Sequence, residues 1–82
     1  MNVSSPDPKL SERELEVLRL ISKGLKNKEI SRELNISVYT VYNHVQHILR
    51  KLHIRTRTEA ACWAVRNGLA NGMEEPSGRK NE

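Results

Sequence analysis

Apolar residues recur along this chain at intervals of three and four, separated by short runs of capping residues, and no segment alternates over the length of a strand. Ser11-Glu12-Arg13-Glu14 has the form of a capping box, with Leu10 and Leu15 placed as a hydrophobic staple. A first helix therefore starts at Ser11. Leu15, Leu18 and Ile21 form its buried stripe, Leu20 lies at the edge, and Gly24 supplies the left-handed C-cap position. Asn27 caps a short second helix that buries Ile30 and Leu34 and stops near Asn35, where Ile36 plugs the turn. Ser37 caps a third helix running to about Leu52. At about 100° per residue its Val41, Val45, Ile48 and Leu52 fall within roughly 60° of one another. Thr56-Arg57-Thr58-Glu59 repeats the capping-box pattern and opens a fourth helix that ends before Gly68. On that helix Ala60, Ala61 and Ala64 share the inner face with Gly68, while Cys62, Trp63 and Arg66 point away. The fold class is all-α: a four-helix bundle domain over residues 10–69, containing a short helix, a turn and a longer helix in the helix-turn-helix order.

Outside those limits the periodicity disappears. Residues 1–9, with Ser-Ser-Pro-Asp-Pro, and residues 70–82, which include NGMEEPSGRKNE, read as flexible tails. The N-terminal stretch is either the remnant of an interdomain linker or an ordinary frayed end. A domain of about 60 residues buries only ~60% of its unfolded surface, so a cavity for an organic substrate would remove most of its core. Size argues against an enzyme.

Charge sharpens the picture. The formal net charge is only +4. From Arg19 to Arg57, however, nine basic residues face only Glu29 and Glu33, and the acidic excess lies in the flanks. A basic segment centred on a helix-turn-helix points to nucleic acid. The single cysteine, Cys62, cannot form an intrachain disulfide, and no Cys/His spacing of a zinc site is present. No apolar run approaches the ~20 residues of a membrane span, and MNVSSPDPKL has no apolar core of a signal peptide. A cytoplasmic protein with no metal, no cofactor and no membrane contact is the expectation.

Opposite its apolar stripe the third helix presents Tyr39, Tyr42, Asn43, Gln46 and Arg50. A merely solvated face is usually rich in Glu/Lys pairs, yet no acidic residue occurs from Ser37 to Leu52. Asn and Gln can pair with adenine N6/N7, Arg with guanine O6/N7, and Tyr with phosphate or a thymine methyl group. The face suits a major groove. Lys26, Asn27 and Lys28 begin the second helix, where positive charge and free amides both attract an anion, and Thr40 lies in the first turn of the third. The alternative for Lys26 and Lys28 is that they only solubilise the surface. His44 and His47 are three apart, but no carboxylate or cysteine completes a metal set, and nothing activates Cys62 as a nucleophile. Trp63 is either a partner contact on the outside of the domain or a side chain folded over a helix edge within the monomer.

The run from Leu10 to Ala61 resembles the LuxR-type DNA-binding domain, the C-terminal effector of NarL/FixJ response regulators and of quorum-sensing regulators. The resemblance rests on Arg13-Glu14 with Glu16-Val17-Leu18, then Gly24, Asn27-Lys28-Glu29-Ile30, Ile36-Ser37, Thr40-Val41, His44-Val45 and Lys51-Leu52. It implies a four-helix fold with the helix-turn-helix at about residues 29–48, sequence-specific transcriptional control, and a homodimer built on the last helix. It further implies that Tyr42, Asn43 and Gln46 face base edges and that Asn27, Lys28 and Thr40 lie near phosphates. The chain departs from the family pattern at Tyr42, where Lys is common, and at Gln46, where a basic residue is frequent in the NarL branch. An operator known from a relative therefore does not transfer to it.

The expectation is a domain that binds double-stranded DNA as a homodimer. Tyr42, Asn43 and Gln46 contact bases; Lys26, Asn27, Lys28, Tyr39, Thr40 and Arg50 contact phosphates; Cys62, Trp63 and Arg66 mark the dimer face. RNA polymerase and an upstream receiver or ligand-sensing domain are further candidate partners. Two rivals stand beside this reading: a sigma-factor-like promoter-reading module, and a basic helical protein-interaction adaptor.

Overall fold

The computed structural model describes residues 9–69. Of the two expected tails only Lys9 falls within that range. The described residues form four helices: α1 (Glu12–Ser22), α2 (Asn27–Leu34), α3 (Val38–Leu52) and α4 (Arg57–Arg66). There is no strand among them, as the uninterrupted helical periodicity requires.

The starts of α1, α3 and α4 lie where the capping residues put them. Ser11 Oγ accepts from the Glu14 amide (3.1 Å) while Glu14 Oε1 accepts from the Ser11 amide (2.9 Å). Ser37 Oγ accepts from the Thr40 amide, and Thr56 Oγ1 from that of Glu59. Helix α2 differs from expectation, because Lys26 and not Asn27 is its N-cap, and Asn27 is its first helical residue. The helix ends are turned by left-handed residues. Gly24 (φ 91°) was foreseen; Asn35 (φ 57°) and His53 (φ 58°) do the same work after α2 and α3. Their turns are closed by the amides of Ile36 and Ile54, which donate to the carbonyls of Ser31 and Leu49.

The core consists of Val17, Leu18 and Ile21 from α1, Ile30 from α2, Val41, Val45 and Ile48 from α3, and Ala60 and Ala64 from α4. Helix α1 packs against both α3 and α4, and α2 packs against α3. This arrangement corrects the expected stripes at several points. Because α1 packs mainly against α4 and α3, its buried face is rotated toward Val17, and Leu15 is only half-buried. Leu34 and Leu52, at the ends of their helices, are also half-buried. Ala60 and Ala64 are fully buried, but Ala61 is half-exposed and Gly68, at φ 78°, lies exposed beyond the helix end.

Trp63 does not point outward. It is half-buried and packs against the core. Its direction is about 60° from that of Ala60 on the helix, and the two buried alanines leave room beside them for the indole. Cys62 and Arg66 are exposed as expected. Val65, which the sequence did not single out, is the apolar residue that α4 leaves open, at 52% exposure.

Candidate nucleic-acid interface

Helix α3 is buried on one side and exposed on the other. Its Val41 and Ile48 are inaccessible to solvent. On the opposite side Tyr39 and Tyr42 are 72% and 51% exposed, Arg50 is exposed, and Asn43 and Gln46 are half-exposed. Val38, at 45%, extends this surface at the N-terminal end of the helix and was not anticipated. Of the four exposed large hydrophobic side chains among the described residues, three are therefore on α3, within five positions of one another. Thr40 is half-exposed, and its Oγ1 accepts from Ser37 Oγ (2.9 Å), so its own hydroxyl hydrogen is available to an acceptor outside the helix.

A second basic segment is the start of α2. Lys26 and Lys28 are exposed, and the side chain of the N-cap Lys26 makes no cap hydrogen bond. A lysine at the N-cap has no acceptor to offer. Glu29 compensates in part, its Oε1 accepting from the Lys26 amide at 2.7 Å. Asn27 is half-buried, and its Oδ1 accepts from Arg57 Nη1 at 2.7 Å; Arg57 Nη2 donates to the Leu25 carbonyl at 2.7 Å. Burial holds the Arg57 guanidinium below its ordinary pKa.

The other end of α3 is tied to α1. Lys51 Nζ donates to Glu14 Oε1 (2.8 Å) and to the Lys9 carbonyl (3.1 Å). Glu14 is 4% exposed. Burial by itself would raise its carboxyl, but the hydrogen bond and charge of Lys51 and the bond from the Ser11 amide outweigh that and hold it below the usual range. His47 Nδ1 stands 3.8 Å from Glu14 Oε2, with the ring largely exposed, and His44 is half-buried at the edge of the core stripe. No three His, Cys, Asp or Glu side chains come together among the described residues. No helix among them is long and apolar enough to cross a membrane.

The structure thus brings Tyr39, Tyr42, Asn43, Gln46 and Arg50 onto one surface of α3, and Lys26, Asn27 and Lys28 to the start of α2. Cys62 and Arg66 belong to a separate surface on α4, where with Ala61 and Val65 they line an open, mainly apolar depression. Sequence reasoning missed Arg57 and Glu14 as organisers of the site. Both stood out only as members of capping segments; their partners lie 30 and 37 residues away in the chain.

A short helix and a longer one, joined by a tight turn and presenting an acid-free polar face, define a helix-turn-helix domain. Residues 8–64 match the family described as bacterial regulatory proteins, luxR family, and the chain belongs to that family. It is a DNA-binding domain of transcription regulation. Similar proteins include the transcriptional regulatory protein LiaR of Bacillus subtilis strain 168, 50% identical over 66 residues, which are 80% of this chain and 31% of that protein. The nitrate/nitrite response regulator protein NarL of Escherichia coli K12 is 48% identical over 54 residues, 66% of this chain and 25% of that protein. The response regulator protein VraR of Staphylococcus aureus NCTC 8325 is 45% identical over 60 residues, 73% of this chain and 29% of that protein. The chain spans less than a third of the length of each of these relatives.

Proposed function

We propose that the chain reads a specific sequence in duplex DNA by laying α3 in the major groove. The observation that carries this reading is the outward face of α3, which is exposed, polar and aromatic, and free of acidic residues, in a helix-turn-helix. In this reading Tyr42, Asn43 and Gln46 meet base edges, the tyrosine also offering its ring to a thymine methyl group. Tyr39, Thr40 and Arg50 on α3, and Lys26, Asn27 and Lys28 on α2, fix the register on the phosphates.

Two copies would bind a symmetric site, each supplying one recognition helix. The depression on α4 supports the pairing surface: it brings the exposed Val65 together with Cys62 and Arg66 and is mainly apolar. Trp63 would contribute only what the core leaves uncovered. An upstream receiver or ligand-sensing domain would control this dimerisation, and RNA polymerase would be the machinery that the bound dimer addresses.

Selection from a random duplex pool tests the reading directly, and recovery of a palindrome with half-sites about one helical turn apart is the expected outcome. On the selected site Gln46→Ala should weaken binding by roughly 1–3 kcal/mol while leaving non-specific duplex affinity unchanged. Equal loss on both duplexes would remove Gln46 from base readout. Absence of duplex binding, together with retention of a protein partner, would replace the reading with that of an adaptor.

A further inference from the structure

We propose that Arg57 is a positioning residue for duplex binding: its guanidinium fixes the Asn27 side-chain amide so that the Nδ2 hydrogens are presented to a backbone phosphate at the start of α2. The inference rests on the DNA-binding reading above and assigns a role to a residue outside the helix-turn-helix.

The geometry leaves little choice at Asn27. A guanidinium can only donate, so the amide atom facing Arg57 Nη1 at 2.7 Å is the oxygen. With Oδ1 taken, the remaining hydrogen-bonding group of Asn27 is Nδ2, a donor of two hydrogens, and a phosphate oxygen accepts only. The same guanidinium holds the Leu25 carbonyl through Nη2 at 2.7 Å, so one planar fork grips both the α1–α2 turn and the first residue of α2. Both partners are neutral oxygens. Among the described residues no carboxylate lies within ion-pairing distance of Arg57, and its charge therefore adds to those of Lys26 and Lys28 beside the helix N-terminus. Withdrawing this cation from water is unfavourable, as the lowered pKa records. The two hydrogen bonds offset that cost. Glu29 is the acidic residue in the first turn, and its Oε1 is engaged with the Lys26 amide.

A double-mutant cycle separates positioning from plain charge and from stability. Arg57→Lys keeps the charge but cannot span Asn27 Oδ1 and the Leu25 carbonyl with one rigid fork. Duplex affinity is measured for the chain, Arg57→Lys, Asn27→Ala and the double variant at several salt concentrations, well below each variant's melting temperature. Loss of one hydrogen bond should weaken binding roughly fivefold in either single variant, and no more than that in the double. Because Asn27 is uncharged and Arg57→Lys keeps its charge, neither variant should change the slope of log K against log[salt], which counts phosphates neutralised by cations. Arg57→Lys binding like the parent chain would overturn the proposal, as would losses that multiply to about 25-fold in the double. A lowered melting temperature with unchanged affinity would overturn it too, leaving Arg57 a purely structural tie. In each of these cases the parent chain still binds duplex with a steep salt dependence; failure of the parent to do so would overturn the DNA reading as well.

Discussion

The N-termini of α1 and α2 are built on the same local plan and finished differently. Both carry a glutamate at the third helical position that reaches back to the N-cap amide, at 2.9 Å in α1 and 2.7 Å in α2. At α1 the N-cap is Ser11, whose Oγ accepts from the Glu14 amide, so the end is closed. At α2 the N-cap is Lys26, whose side chain has nothing to accept with and makes no cap hydrogen bond. The long-range ties follow the same division. Glu14 is buried, and Lys51 compensates its charge. Asn27 is held by a cation through its Oδ1. One helix end is capped by its own N-cap side chain; the other has no such cap. Two sites with nearly the same sequence pattern thus diverge through one N-cap residue and one distant partner.

The largest effect expected from breaking this contrast is at the closed end. Glu14→Ala removes the bonds from Ser11 and Lys51 together and leaves the Lys51 ammonium without its carboxylate, which should cost about 1–3 kcal/mol of stability. Duplex affinity measured well below the melting temperature should stay close to that of the parent chain; a matching loss of affinity would show that the α1–α3 tie shapes the reading face after all. Thr56→Ala removes the hydroxyl cap of α4 and should cost ~1 kcal/mol by denaturant or thermal unfolding. The open end should respond in the opposite sense. Lys26 has φ −90° and ψ 164°, the backbone of an ordinary cap. Lys26→Ser should therefore stabilise the fold by about 0.5–1 kcal/mol, while weakening duplex binding and lowering its salt dependence. A variant that is less stable, or that binds DNA as tightly as the parent, would refute the idea that this end is held open for an anion.

The smallest effect concerns acid. Glu14 and Glu59 both titrate below the ordinary carboxylate value of 4.5, Glu59 mainly because the Arg55 and Thr56 amides bond its carboxylate. A depressed folded-state value means that the unfolded chain takes up protons first. The stabilisation is thus complete above the unfolded value and is lost as pH falls through the folded ones. Melting temperature should decline on acidification below about pH 4.5, and Glu14→Gln should flatten that decline. An unchanged acid limb would show that other carboxylates govern it.

Much of the fold was legible because its determinants are local. The capping residues Ser11, Ser37 and Thr56, the left-handed Gly24 and the Val41/Val45/Ile48 stripe act within one or two turns, and each was readable from spacing alone. Errors arose in the direction of the buried face of α1 and where side-chain size decides direction. The buried face of α1 turned toward Val17 to serve both α3 and α4, and Trp63 folded inward beside Ala60 and Ala64. The exposed face of α3 was legible for the same local reason as its buried face, since one helical period fixes both.

The sequence by itself determined four helices, their order, a helix-turn-helix and an acid-free outer face on its second helix. Hydrogen bonds and helical periodicity that operate over three or four residues dictate these features whatever the rest of the chain does. Only the tertiary structure decided that Lys51 neutralises Glu14 and that Arg57 holds Asn27, pairs separated by 37 and 30 residues. Such contacts depend on how the helices cross, and the crossing is set by the sizes of the residues packed between them. The character of the α2 N-terminus as an open, positively charged end is therefore a property of the packed domain, although every residue in it could be named in advance.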